Sequence, residues 1–340
     1  MRKSKRNKLI VVSQLLIACI IGLIAFADQL KAIGSIRQIS RQLYYLEYQG
    51  NYGLAQFLEQ GGAANDEELT DFLTSFFTKG LYRYAPPKQI LGCSTIAAQL
   101  PDGGYVFGRN FDLEDCTTLI IRTIPKYGYA SISTTNLQFL GIDNDFSLSN
   151  PLNRLLVLAA VYVPLDGMNE KGLCISINAI EHSRQTNQNT DKPDLTTTAA
   201  VRLLLDYAAS VEEAVSLLAQ YDLHASADVD YHFAISDATG NSVVVEYINN
   251  MMVVLETPVV TNHFLVPGSY YKVGLPANDR RYELLMNYFN KKQGILSHED
   301  VKEALAAVAQ NDEIQTQWSI IYDQTNFELA FYHKQNFDKP

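Results

Sequence analysis

The 340-residue chain reads as an α+β protein: two antiparallel sheets packed face to face, with helices on the outside. Three observations predict this. Short apolar runs separated by turn signals come in blocks, as antiparallel strands do. Pairs of amphipathic helical segments separate those blocks. Composition, 47% hydrophobic against 19% charged, supplies a sizeable core. The 20 tyrosines fit a strand-rich chain.

Along the chain, Arg2, Lys3, Lys5, Arg6 and Lys8 lead into an apolar run from Leu9 to Phe26, broken only by Ser13 and Gln14. A basic start, an apolar stretch and the small-x-small tripeptide Ala25-Phe26-Ala27 predict a cleaved signal peptide. The same run approaches the ~20 residues of a membrane anchor, with the positive flank in the cytoplasm. Either way the remainder is expected outside the cytoplasm. Leu16-Ile17-Ala18-Cys19 resembles a lipidation box, but the apolar run continues past Cys19.

Residues 28–87 read as helical, with apolar positions at mixed helical spacing from Ile36 to Phe57 and again from Asp66 to Phe77. Pro86-Pro87 ends that region. Ser94–Ala98 and Tyr105–Gly108 flank Pro101-Asp102-Gly103-Gly104 and predict a hairpin. Strands are expected over Leu119–Thr123, Leu155–Val163 and Leu173–Ile180, the last after the turn Asn169-Glu170-Lys171-Gly172. A polar loop runs from His182 to Asp194, and helices over Thr198–Ala209 and Val211–Gln220 follow, the second opened by Ser210-Val211-Glu212-Glu213, a capping box. Three strands (Tyr231–Asp237, Ser242–Tyr247, Met251–Glu256), two helices (Arg280–Phe289, Ser297–Ala309) and a closing hairpin (Ser319–Asp323, Glu328–Tyr332) complete the chain.

The formal charge of −10 argues against nucleic acid as a partner, since phosphate binding needs clustered basic surface. There is no CxxC or HExxH pattern, and His182, His224, His232, His298 and His333 lack metal-like spacing. His263 reads as structural. Of the four cysteines, Cys93, Cys116 and Cys174 lie beyond the apolar run and allow at most one disulfide. Cys116 and Cys174 read as buried strand residues, with a bridge between them as the alternative.

Cys93 opens the first strand of the predicted hairpin, in Gly92-Cys93-Ser94-Thr95. Alone it reads as a small buried strand residue. A thiolate nucleophile needs a base or a cation nearby, and no histidine is close in sequence. Gly108-Arg109-Asn110-Phe111-Asp112 ends the second strand, so the hairpin turn returns Arg109 and Asp112 toward Cys93.

Cysteine followed by Arg at +16 and Asp at +19 resembles the N-terminal-nucleophile amidohydrolases of the choloylglycine hydrolase superfamily. Further segments match in order: Gly167-Met168-Asn169-Glu170-Lys171-Gly172-Leu173, Thr261-Asn262-His263-Phe264, Asp279-Arg280-Arg281-Tyr282, and Thr316-Gln317-Trp318-Ser319 with Tyr322-Asp323. The resemblance covers roughly residues 88–333 and implies a four-layer αββα sandwich. It implies Cys93 as nucleophile, with its own freed α-amine as general base; such an amine has a reference pKa near 8, which explains the missing histidine. Asp112 would orient the amine, and Arg109 would favour the thiolate. Asn262 would donate to the oxyanion, with a second donor near Asn178, a position that requires a one-residue gap after the Gly167 turn. Arg280 would stabilise the charge network, with Arg281 as the rival.

Two departures from the bile salt and penicillin V acylases point to the acid ceramidase and acylethanolamine amidase branch. Cys93 lies far inside the chain, and Asn262 and Arg280 are only 18 residues apart. The expected organisation is therefore a signal peptide or anchor (1–27), a helical pro-segment or small subunit (28–92) covering the acyl pocket, and a catalytic domain (93–340). The implied reaction is hydrolysis of a linear, non-peptide amide through an acyl thioester. The substrate is a small N-acyl amide such as a bile salt conjugate, penicillin V, an N-acylethanolamine or an acyl homoserine lactone. No cofactor or metal is required. Membrane contact is expected only through the N-terminal segment, and a homo-oligomer is compatible with the family. An acyltransferase of the isopenicillin N type, or an inactive membrane-tethered lipid-binding module, stands as the alternative.

Overall fold

The computed structural model describes residues 26–80, 83–84, 92–142, 146–180, 185–268 and 279–340. Residues 9–25 of the apolar run, with Cys19, and Pro86-Pro87 lie outside the described residues. Among the described residues no helix is long and apolar enough to cross a membrane.

The N-terminal block comprises α1 (Ala27–Ser35), β1 (Arg37–Ser40), β2 (Leu43–Gly50), α2 (Leu54–Glu59) and α3 (Asp66–Thr78). Next come β3 (Gly92–Gln99), β4 (Tyr105–Leu113), β5 (Thr118–Pro125), β6 (Ser131–Asn136), α4 (Pro151–Leu156), β7 (Asp166–Asn169) and β8 (Cys174–Ile180). The middle of the chain carries β9 (Asp194–Thr196), α5 (Thr197–Tyr207), α6 (Val211–Leu218), β10 (Asp222–His224), β11 (Asp230–Ser236), β12 (Ser242–Ile248), β13 (Met251–Glu256) and β14 (Val259–Val260). Last are α7 (Arg280–Lys291), α8 (His298–Ala307), β15 (Gln315–Asp323) and β16 (Glu328–His333).

A nine-stranded sheet, in the order β1-β2-β5-β6-β7-β8-β11-β12-β13, faces a five-stranded sheet in the order β14-β3-β4-β15-β16. Helix α5 packs on β7 and β8 of the first sheet, and α7 and α8 pack on β3 and β4 of the second. These are the expected four layers. Alternation along β3 separates its two faces. Cys93 and Ala97 belong to the main core, whereas Ile96 and Ala98 belong to the cluster under α7 and α8 with Leu285, Val301 and Leu305.

Two predicted elements differ. Ile36–Phe57 is not a continuous helix: β1 and β2 occupy most of it, and β2 pairs in parallel with β5. Tyr44, Leu46 and Tyr48 are buried while Tyr45 and Glu47 are only half-buried, the period of two of a strand edge that packs on one face. The segment upstream of Cys93 is therefore mixed rather than helical. It shares the main core, where Tyr48, Tyr52, Phe57, Phe72 and Phe77 meet around Tyr162. Leu155–Val163 is helical, not a strand: α4 runs into a 3₁₀ turn over Val157–Tyr162. Every residue of that turn is buried, so its apolar run carries no alternation that distinguishes the two states. Cys93, Cys116 and Cys174 are all free thiols, so Cys116 and Cys174 are not bridged.

Candidate active site

The β3/β4 hairpin pairs Cys93 with Phe111, Thr95 with Arg109, and Gly92 with Asp112. Cross-strand partners share a face, so Cys93 and Arg109 both point between the two sheets. Asp112, three residues from Arg109, projects from the opposite face toward the α7/α8 layer. The two charged residues of the motif thus flank Cys93 from different sides, the arginine at the thiol and the carboxylate at the backbone of Gly92.

On the thiol side, Arg109 Nη2 donates to Cys93 Sγ at 3.2 Å and to the Ile177 carbonyl at 3.0 Å. Its Nη1 is paired with Asp166, and both side chains are fully buried. Asp166 also accepts from Thr134 Oγ1 (2.6 Å), Tyr322 OH (2.6 Å) and Trp318 Nε1 (3.2 Å). The Trp318 ring stacks on Phe111, 4.0 Å between centroids, under the guanidinium. Cys93 itself is 1% exposed. Burial pushes its thiol up, with Arg109 pulling the other way and Asp112 adding to the rise.

On the backbone side, Asp112 accepts from Thr316 Oγ1 (2.6 Å), Gln310 Nε2 (2.8 Å) and Arg281 Nη1 (3.0 Å). Arg281 Nη1 also reaches the Cys93 carbonyl at 3.3 Å, and Nη2 donates to Asn262 Oδ1 at 2.8 Å. Gly92 is tightly enclosed: a Cβ there would sit 2.8 Å from Gln310 Nε2, 3.0 Å from Asp112 Cβ and 3.2 Å from Asp112 Oδ2. The Asp112 carboxylate therefore stands beside the Gly92–Cys93 bond.

Arg281, not Arg280, is the arginine brought into the site. Arg280 opens α7 and is exposed. Asp279 caps this helix, accepting from the backbone amides of Arg281 (3.0 Å) and Tyr282 (3.3 Å), and so fixes which arginine turns inward. Its carboxyl is held well below the usual range. Burial pushes it up, but hydrogen bonds from His263 and Thr261 and the charge of Arg281 outweigh that. His263 contacts Asp279, as expected for a structural histidine.

Asn262 Oδ1 accepts the Cys93 backbone N–H at 2.7 Å, while Asn262 Nδ2 donates to the Ala179 carbonyl at 2.7 Å. In the uncut chain Asn262 therefore presents an acceptor to Cys93 rather than the donor expected of it. Asn178 is buried on β8, but its Nδ2 donates to the Val260 carbonyl at 3.2 Å and its Oδ1 accepts from Ser176. It braces β14 and makes no hydrogen bond to Cys93.

Asp166, Gln310, Thr316, Trp318 and Tyr322 were not among the predicted site residues. Asp166 directly precedes the Gly167 segment, and the last three lie in the matched closing segment, so those motifs held the signal. Gln310 follows α8 with no motif around it.

A family model described as linear amide C–N hydrolases, choloylglycine hydrolase family, matches residues 93–287, more than half of the chain, and begins at Cys93 itself. Penicillin V acylase of Pectobacterium atrosepticum is 32% identical over 99 residues, which cover 26% of this chain and 26% of that protein. The matched stretch is thus about a quarter of that relative's length. The solved penicillin V acylase of Agrobacterium tumefaciens aligns over 71% of this chain and 83% of its own, with 19% identity and a TM-score of 0.50. A mutant of the conjugated bile acid hydrolase of Clostridium perfringens aligns over 72% and 94%, with 17% identity and a TM-score of 0.51. These two structures share the fold.

Proposed function

Because the chain belongs to the choloylglycine hydrolase family of linear amide C–N hydrolases, we propose that it is a cysteine amidohydrolase, activated by cutting its own chain before Cys93. One observation carries this reading. The family match begins at the residue whose thiol lies 3.2 Å from Arg109 Nη2 and whose backbone is held by Asn262 and Arg281.

The chemistry follows from what surrounds Cys93. In the intact chain the nitrogen of Cys93 is an amide and cannot accept a proton, and the thiol is buried with its pKa raised, so the chain is inert as an amidase. Hydrolysis of the Gly92–Cys93 bond, in which water makes Gly92 a carboxylate and supplies the proton to the departing nitrogen, converts that nitrogen to an α-amine beside Asp112. The amine takes the thiol proton, and Arg109 holds the thiolate. Attack on a substrate amide carbonyl places negative charge on its oxygen. The C–N bond then breaks as the α-ammonium returns its proton to the leaving amine. Water, activated by the same amine, hydrolyses the acyl thioester. Asn262 Nδ2 gives one hydrogen to the Ala179 carbonyl and has a second for the oxyanion, while Oδ1 goes on accepting from Arg281 and from the Cys93 nitrogen.

The substrate class is a small N-acyl amide with an apolar acyl group, the penicillin V and bile acid conjugates of the related proteins being the first to try. An exported enzyme held near a membrane by the Leu9–Phe26 run fits the basic flank of that run.

Intact mass and N-terminal sequencing of wild type and Cys93→Ala test the proposal. The expected result is a wild-type fragment beginning at Cys93, no cut in the variant, and amide hydrolysis only by the cut protein. An uncut wild type that hydrolyses amides at full rate would refute it.

A further inference from the structure

Away from the thiol, a buried carboxylate and a buried imidazole that the proposed chemistry does not use converge on the segment carrying Asn262. Glu246 on β12 and His232 on β11 are both fully buried, with Glu246 Oε1 3.1 Å from His232 Nδ1. Oε1 also accepts the Leu265 amide at 2.7 Å, and Oε2 the Val266 amide at 3.0 Å. The far side of the imidazole, Nε2, donates to the Thr261 carbonyl at 2.8 Å. One carboxylate–imidazole unit therefore grips the chain on both sides of Asn262, at residue 261 and at residues 265 and 266. His232 is the cross-strand partner of Asn178, and their side chains donate to consecutive carbonyls, Thr261 and Val260. Thr261 is also tied by its hydroxyl to Asp279, the cap that orients Arg281.

Burying an ionisable pair is costly unless its hydrogen bonds are made. Burial pushes the Glu246 carboxyl up, but His232 and the two amides outweigh this and hold it below its ordinary range. Apolar residues would fill the same space but would leave the Thr261 carbonyl and the Leu265 and Val266 amides without these partners. What the pair adds is direction: two fixed acceptors and one fixed donor aimed at the backbone around Asn262.

We propose that His232 and Glu246 are positioning residues for Asn262, holding its carboxamide against Cys93; the functional part of this proposal rests on the amidohydrolase reading. The rate of appearance of the Cys93-initiated fragment is measured for wild type, His232→Ala, Asn262→Ala and the double variant, with thermal melting alongside. An ångström-scale displacement of a reacting group costs about 10²-fold. His232→Ala should therefore slow cutting about 10- to 100-fold, and the double variant should be no slower than Asn262→Ala alone. His232→Gln, whose terminal amide can still reach the Thr261 carbonyl, should recover most of the rate. Should His232→Ala not fold, Glu246→Gln replaces it, because it removes the acceptor for the Val266 amide. A wild-type rate in His232→Ala, or effects that multiply in the double variant, overturns the proposal. If wild type is itself never cut, the amidohydrolase reading fails instead. A crystal structure of the His232 variant then decides the positioning: Asn262 Oδ1 displaced from the Cys93 nitrogen upholds it, and an unmoved carboxamide overturns it.

Discussion

The Arg109–Asp166 pair lies at the point where the two sheets are tied together, so its perturbation can be worked through in energy. Asp166→Asn preserves the shape but removes the charge. Four donors converge on the carboxylate: Arg109 Nη1, Thr134 Oγ1, Tyr322 OH and Trp318 Nε1. An asparagine offers one acceptor oxygen and turns an NH₂ toward donors on the other side. Arg109, fully buried, keeps its charge with no counter-charge. Breaking a buried pair from one side costs about 3–5 kcal/mol, a large part of the ~5–15 kcal/mol that hold a domain folded. At roughly 2 °C per kcal/mol for a chain of this size, the melting temperature should fall by about 6–10 °C. Differential scanning calorimetry reads this directly. Removing both charges should cost less than removing one, so Arg109→Met added to Asp166→Asn, which keeps an acceptor for Thr134, Tyr322 and Trp318, should recover much of the loss while leaving Cys93 without its cation and the chain uncut. If Asp166→Asn melts within about 1 °C of wild type, or the double replacement is the less stable of the two, the pair is not the buried charge couple described.

Three further outcomes follow from the site and its surroundings. Arg281→Ala should slow self-cutting by about 10²-fold or more, through loss of a charged donor to Asp112, Asn262 and the Cys93 carbonyl, whereas Arg280→Ala should stay within about twofold; fragment formation on a gel separates them. Gly92→Val should cut markedly more slowly than wild type with Cys93 and its neighbours unchanged, because the added carbons meet Asp112 Cβ and Gln310; intact-mass time courses measure it. His333, part-buried, has its pKa pushed down to about 4 by burial and by Lys334, against an ordinary value of 6.5. The unfolded chain therefore takes up that proton first as pH falls, and stability is lost between about pH 6.5 and 4 and then levels off. Denaturant titrations across this window should show His333→Gln losing about 1–2 kcal/mol less than wild type, the shift being discounted for partial exposure.

The hairpin bearing Cys93 and Arg109 is legible because two short apolar runs flank a Gly-rich turn, a local signal that needs no help from the rest of the fold. Other features depend on partners far away in the chain. Tyr44, Leu46 and Tyr48 alternate as a strand, but they sit among residues also spaced for a helix, and only pairing with β5 decides between the two. Val157–Tyr162 is buried on every side, so its pattern has no period to read. The choice between Arg280 and Arg281 turns on helical phase, which Asp279 and the packing of α7 fix. Asp166 declares itself only through Arg109, 57 residues earlier on the facing sheet.

The mixed structure of the segment before Cys93 bears on what cutting can accomplish. A helical cover laid over a finished domain could leave once the chain is cut. This segment cannot do so without exposing core. β2 lies beside β5 along its whole length, from the Leu43–Thr118 pair to the Gly50–Pro125 pair. Tyr52 donates to the buried Asp206 at 2.5 Å, and Tyr162 OH donates to the Tyr52 carbonyl at 3.1 Å. Phe57, Phe72 and Phe77 bury their rings around Tyr162. At about 1.5–3 kcal/mol for each large apolar side chain buried, these three rings and Leu46 alone contribute on the order of 6–12 kcal/mol to retention. If the chain is cut as proposed, the activating event is a change at one nitrogen, from amide to amine, with the upstream segment kept as a second chain. Size-exclusion chromatography of the cut protein should show both pieces co-eluting at the mass of the intact chain, and separating only in denaturant. If the upstream piece instead elutes alone under native conditions while the larger piece stays folded and active, β2 contributes little to the sheet it joins, and the segment is a removable cover after all.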